Sequence, residues 1–218
     1  MGVVVAMDGP SGSGKSSTSR GVAARLGLRY LDTGAMFRAI TWWMLENDVD
    51  VHDPEAVAAR ADEPLLVSGT DPEHPTITVG DTDVAGPIRG PEVTAAVSAV
   101  SAVPRIRERL LREQRDVIGD GDIVVEGRDI GTAVVPDADV KVYLTADPGA
   151  RAARRSAEQA GTDVAATEAD LIRRDRIDSG RAASPLAMAA DAHHIDTTPY
   201  SLEEVVAQVV ALVEKARA

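Results

Sequence analysis

The chain contains no cysteine and draws only three of its 23 cationic residues from lysine. The missing thiol excludes disulfides, thiolate metal sites and a cysteine nucleophile. Scarce lysine leaves arginine as the working cation, and its planar fork grips phosphate wherever several converge. No apolar run approaches the roughly 18 residues of a membrane span, and the N-terminal "GVVVAM" is too short, and lacks the basic flank, for a secretory signal. A cytosolic protein with no membrane partner is expected. Basic excess is lacking as well: the formal net charge is −12. That argues against a nucleic-acid polymer as partner, because tracking a phosphate backbone needs a basic stripe. Internal repeats and low-complexity tracts are missing, and 218 residues suit one well-buried domain with an appendage.

What is present begins at residues 9–16, "GPSGSGKS". A glycine, four residues, then Gly14-Lys15-Ser16 is the pattern of a phosphate cradle. It follows the β-branched run "GVVVAMD" and precedes a stretch that reads as a helix over 15–26, stopped by Gly27. In that setting backbone N–H groups and the helix N-terminus would hold a triphosphate, Lys15 would reach its outer phosphates, and the Ser16 hydroxyl would ligate Mg²⁺.

The remaining chain alternates strands and helices. "LRYLD" (28–32), "DIVVEGRD" (122–129), "VKVYLTAD" (140–147) and "HHIDTT" (193–198) read as further strands. Helices are expected over 35–46, 91–101, 104–118, 148–160, 166–180 and 202–217, the last opened by the capping box Ser201-Leu202-Glu203-Glu204. Residues 64–90, punctuated by proline and glycine, read as a small antiparallel sheet inserted between helices. Strands alternating with helices imply an α/β protein with right-handed crossovers and a parallel sheet, with ligands at the carboxyl ends of its strands. Asp8, Asp32, Glu126 through Asp129, and Asp147 would all lie on that edge. His193 and His194 are adjacent, so they face opposite sides of a strand and make poor joint metal ligands. Trp42 and Trp43 read as core.

The cradle alone does not select an acceptor. A GTPase would need an Asn-Lys-x-Asp element and an Asp-x-x-Gly turn after a suitable strand; the first is missing, and no Asp-x-x-Gly follows a suitable strand. A transport ATPase would need a longer chain. A kinase for another small acceptor, shikimate-like metabolites included, and a nucleotide-binding module without turnover remain open on these grounds. Phosphoryl transfer to an acceptor needs cations around the moving group and a second pocket. Arg38, Arg128, Arg174 and Arg181 are placed to supply them, although a run such as "RRDRIDSGR" can also be a solvated, salt-bridged helix.

"GPSGSGKS", "YLDTGAMFR", "EGRDIGTAVVPDADVKVYLTAD" and "RRDRIDSGRAASPL", in this order, resemble the bacterial cytidylate kinases over nearly the whole chain. The resemblance implies a P-loop NTPase-type parallel five-stranded sheet, a monophosphate-binding insert domain and a helical lid. It divides the chain into a core (1–33, 119–147 and 191–218), a monophosphate region (34–118, with the insert at 64–90) and a lid (148–190). The implied reaction moves the γ-phosphate of ATP to CMP or dCMP with Mg²⁺, in a monomer. ATP would be held by Gly9, Pro10, Ser11, Gly12, Ser13, Gly14, Lys15, Ser16 and Ser17. At least one of the lid arginines Arg151, Arg154 and Arg155 would reach the ATP side; Arg154 is placed with the ATP set, and the choice among the three stays open. Arg38, Arg128 and Arg181 would take the acceptor phosphate, with Lys15, Arg128 and Arg181 forming the catalytic set. Ser98, Arg107 and Asp129 would contact cytosine, and Arg174 with Asp178 the ribose. Thr33 stands where serine is frequent and keeps a hydroxyl for a base or ribose contact. Phe37 stands where tyrosine is frequent and lacks one.

Overall fold

Strand β1 (Val4–Asp8) owes its place to residues that are apolar on both faces. Ala6 points into one core and Val5 and Met7 into another, so the strand lies between two hydrophobic layers, as a central parallel strand must. We describe a computed structural model of the chain at residues 2–158, 163–181 and 185–218.

The main sheet is parallel and five-stranded, with β1 flanked by β6 (Ile123–Glu126) and β7 (Val140–Thr145), and β2 (Arg29–Asp32) and β8 (His193–Asp196) at the edges. The register sets Asp32 opposite Glu126, Met7 opposite Glu126 and Asp8 opposite Tyr143, gathering polar groups at one carboxyl edge. On one face, α1 (Lys15–Leu26) and α8 (Leu202–Arg217) pack Val22, Ala23, Val205, Val206, Val209 and Val213 against the sheet. The other face is covered by α2 (Thr33–Glu46), α4 (Pro91–Val100) and α5 (Pro104–Ile118), through Met36, Ile40, Met44 and Ile106. Ser201 and Glu204 close the expected capping box at the head of α8.

The antiparallel sheet expected within 64–90 is present as β3 (Leu66–Ser68), β4 (Ile77–Val79) and β5 (Thr82–Asp83). Ile77 and Val79 enter the core beside α2. The sheet is also tied back to the main one. Tyr30 donates its amide to the Thr70 carbonyl at 2.8 Å, and Arg20 on α1 reaches the carbonyls of Pro72 (2.7 Å) and Glu73 (3.1 Å). Helices α6 (Pro148–Glu158) and α7 (Val164–Ser179) pack on each other. The expected ends of α6 at 159–160 and the 182–184 part of the arginine-rich motif lie outside the described residues.

Several boundaries differ from the sequence expectation. Helix α3 (Pro54–Ala59) has no counterpart in it; Asp53 caps it by accepting the Glu55 amide, and Val57 is its buried residue. Strand β6 stops at Glu126 instead of running to 129. Gly127 turns the chain there, where a Cβ would come within 2.6 Å of Ile130 Cδ1 and 2.7 Å of Thr33 Oγ1. A short π-helical turn, Ile130–Val134, follows. Asp147 is a helix cap, accepting the Gly149 amide at 2.9 Å, and does not line the cleft described below. His193 and His194 are exposed, and Trp42 and Trp43 pack partly buried against the core as expected.

Candidate active site

The loop from Gly9 to Gly14 leaves β1 with no room to spare. Gly9 holds φ of +144°, and a Cβ there would stand 2.1 Å from the Leu144 carbonyl oxygen, so this turn requires glycine. Lys15 donates from Nζ to the loop's own Pro10 carbonyl at 2.7 Å. Burial and the neighbouring Arg128 push its pKa down. The Ser16 hydroxyl donates to Glu126 Oε2 at 3.0 Å, and the Tyr30 phenol donates to the other oxygen of the same carboxylate. Burial and Asp32 raise the Glu126 pKa, against the pull of Lys15. Asp8 is buried beneath the loop, where each oxygen accepts one amide, from Ile130 and from Gly131, both at 2.8 Å.

From this loop a single cleft of about 560 Å³ extends across the strand ends to α4, α5 and α7. The residues assigned from the sequence to ATP, the acceptor or catalysis line it, except Gly9 and Pro10, whereas Asp8, Asp147 and the lid arginine Arg151 do not. Nine cationic and four carboxylate side chains face it, so this acidic chain concentrates positive charge in one place. Such a field suits a polyanion.

Most of these cations are held by contacts within the fold, although Arg89 is exposed. Arg38, on α2, donates to the Ile88 carbonyl (3.1 Å) and Thr94 Oγ1 (3.0 Å). Burial, with Arg174 and Arg155 nearby, pushes its pKa down to about 9. Arg128 donates to the Gly9 carbonyl at 2.7 Å and pairs through Nε with Asp178 at 3.0 Å. Asp178 also takes Arg181, and is 3 % exposed, so one side of α7, with Arg174 and Asp178, turns into the cleft, while Arg173 and Arg176 stay on its solvated side. Arg174 and Arg181 are both lowered in pKa, mainly by burial. The Nε atoms of Arg107, Arg174 and Arg181 are buried with no hydrogen-bond partner. Buried donors of this kind are expensive unless a ligand completes them.

At the far corner Arg107 pairs with Asp129, and its guanidinium carbon lies 5.3 Å from the centre of the Phe37 ring. Thr33 donates to the Glu126 carbonyl at 2.7 Å, and Ser98 is buried on α4. Near the loop, Arg154 donates to Thr197 Oγ1 and to its carbonyl, both at 2.9 Å. Thr197 in turn donates to the Ser13 carbonyl at 3.1 Å. Arg151 lies under the loop, bonded to the Ser11 carbonyl (3.1 Å) and paired with Asp175. Sequence reasoning missed Tyr30, Ser101 and Thr197, whose parts depend on distant partners. It noted Glu126 and Asp32 only as members of the edge, although Asp32 also caps α2.

A family model described as cytidylate kinase matches residues 5–215. The cytidylate kinases of Streptomyces griseus and Streptomyces coelicolor are 61% and 62% identical to the chain over 217 and 218 residues, 99% of this chain and 94% of each relative. That of Nocardia farcinica is 53% identical over 216 residues, covering 97% of this chain and 93% of its own. Among solved structures, shikimate kinase from Acinetobacter baumannii in complex with shikimate superposes with a TM-score of 0.50 at 16% identity, covering 99% of this chain and 94% of its own. That likeness speaks to the fold. The chain belongs to the cytidylate kinase family.

Proposed function

We infer that the protein is a cytidylate kinase, transferring the γ-phosphoryl group of ATP to CMP or dCMP. The observation that carries the reading is the single cleft in which a phosphate loop, an arginine cluster and a corner of mixed donors and acceptors face one another.

The loop amides and Lys15 bind the donor's phosphates, Lys15 leaving the Pro10 carbonyl for them. Its charge, disfavoured by burial, is restored by the phosphates it meets. The residues present fit Mg²⁺. Ser16 offers a hard oxygen beside the Glu126 carboxylate, and among the described residues no group of three or more His, Cys, Asp or Glu could cage an ion. Mg²⁺ favours such a site, because it keeps waters and shares substrate phosphates. Ser16 would ligate it and Glu126 would hold its water shell; bound there, it neutralises charge on the donor phosphates. Arg154 and Thr197 border the donor side.

On the acceptor side, Arg38, Arg128 and Arg181 receive the monophosphate and meet the charge that develops in transfer. In its absence the Asp178 carboxylate balances Arg128 and Arg181. The acceptor oxygen is already anionic, so no strong base is required, and positioning does the catalysis. Arg174 and Asp178 reach the ribose. For the base, Asp129 and Thr33 present acceptors and Arg107 donors, the complement of cytosine's amino group and ring acceptors. Helices α6 and α7 flank the cleft as the lid that excludes water. One chain supplies every group, so a monomer suffices. The test is ADP release with CMP, dCMP, UMP, AMP and shikimate. The highest kcat/KM is expected with a cytidine monophosphate, and a higher value with any other acceptor overturns the reading.

A further inference from the structure

Ser101 is the residue at which the base corner and the phosphate arginines meet. It closes α4, its amide donating to the Val97 carbonyl at 2.9 Å, and it is buried, 5 % exposed. Its carbonyl accepts Arg107 Nη1 at 3.2 Å. Its hydroxyl accepts Arg181 Nη2 at 2.8 Å and donates to the Ser98 carbonyl at 3.2 Å. Both lone-pair and hydrogen are therefore directed: the hydrogen to α4, the oxygen to Arg181.

The contacts continue in both directions. Arg107 goes on to Asp129 and Phe37, which form the base corner. Arg181 goes on to Asp178, Asp178 to Arg128, and Arg128 to the Gly9 carbonyl at the start of the phosphate loop. Arg181 lies beyond the C-terminal end of α7 and has no helix of its own to hold it. Its Nε is unpartnered and buried, so the Nη2 contacts to Ser101 and Asp178 fix where the fork points.

We propose that Ser101 is a positioning residue that aims the Arg181 guanidinium at the transferring phosphoryl group and couples that aim to the arginine at the base corner. The inference rests on the cytidylate kinase reading. Bound monophosphate draws the Asp178-paired arginines toward itself, and Asp178 then shares its carboxylate with the ribose. Ser101 remains as the fixed acceptor for Arg181. An arginine left free to turn loses alignment in the transition state more than affinity in the ground state.

The test compares Ser101→Ala in two backgrounds, wild type and Arg181→Ala, by steady-state ADP release with saturating ATP and varied CMP. Ala preserves the Ser101 carbonyl and thus the Arg107 contact. In the wild-type background kcat should fall roughly 10- to 150-fold, the scale of one lost hydrogen bond to a charged group, while KM for ATP stays within about twofold. In the Arg181→Ala background the same substitution should change kcat by less than about twofold, since its target is gone. A structural role would lower both backgrounds alike. An unchanged kcat in the wild-type background, or an equal loss in both, overturns the proposal. Absence of CMP turnover by the unmutated protein instead overturns the parent reading, and this inference with it.

Discussion

Thr33 donates its hydroxyl hydrogen to the main-chain carbonyl of Glu126 at 2.7 Å. The oxygen that faces the cleft can then only accept. On the proposed reading it would gain a bond opposite an amino group and a repulsion opposite a carbonyl, and so would favour cytosine over uracil without moving. The methyl group that distinguishes it from serine fixes the rotamer further.

The Thr33→Val variant removes the acceptor while keeping the shape. The kcat/KM for CMP should fall roughly 5- to 100-fold, whereas the value for UMP should hold or rise, because the repulsion leaves with the oxygen. Thr33→Ser, which keeps the hydroxyl, should stay within about threefold of wild type. If Thr33→Val leaves the CMP to UMP ratio intact, the base is read elsewhere.

Tyr30 and Ser16 donate to the two oxygens of one buried carboxylate, Glu126. Removing the phenol in Tyr30→Phe leaves one oxygen without its donor and the carboxylate free to rotate away from Ser16. The half-saturating Mg²⁺ concentration at fixed ATP should rise roughly tenfold, the low end of the effect of losing one outer-sphere partner. KM for CMP should not follow it. A Mg²⁺ titration coincident with that of wild type would separate Tyr30 from the metal-bearing side of the cleft.

The strands were legible because β-branched runs such as "VVVAM" and "IVVE" have few alternatives, and the phosphate loop because its glycines cannot be replaced where Gly9 meets the Leu144 carbonyl. The arginines of the cleft could be named from motif resemblance, but not their partners. Nothing local says that Asp178 joins Arg128 to Arg181, since Arg128 is fifty residues away along the chain. Helix α3 was hidden by its brevity: six residues with one buried side chain carry no periodicity. The Asp53-Pro54 start was its only signal. The early end of β6 depended on the crowding at Gly127, a tertiary fact. Asp147 read as an edge carboxylate because a strand end and a helix cap look alike in sequence. Ser101 read as nothing at all, since a serine at a helix end acquires a role only from residues 6 and 80 positions away.

Asp8 gives the free enzyme a pH signature. Burial outweighs its two amide hydrogen bonds and raises its pKa from 3.8 to about 6. Between those values the folded chain holds the proton more tightly than the unfolded chain does. This group's contribution is therefore most favourable below pH 3.8 and is lost as pH rises through about 6, a change of about 3 kcal/mol. An Asp8→Asn variant lacks the term. Measured by urea unfolding, the stability advantage of wild type over the variant should shrink from pH 4 to pH 7; an advantage that grows over that range contradicts the assignment.

Arg107, Arg174 and Arg181 each bury an Nε with no hydrogen-bond partner, and burial, with neighbouring arginines adding to it, lowers the pKa of Arg38, Arg174 and Arg181. A ligand carrying phosphate should relieve that crowding, and one lacking it should not. At about 100 times its Kd, CMP should stabilise the fold by about 2.7 kcal/mol, a rise in Tm of roughly 5–10 °C for a chain of this size. Cytidine at the same concentration satisfies the base corner but leaves the arginines unneutralised, and should raise Tm by no more than about 1 °C. The difference should fall in the Arg38→Ala variant, because one of the crowded cations is then absent. Equal shifts for CMP and cytidine would mean that the base corner, and not the phosphate cluster, supplies the binding energy.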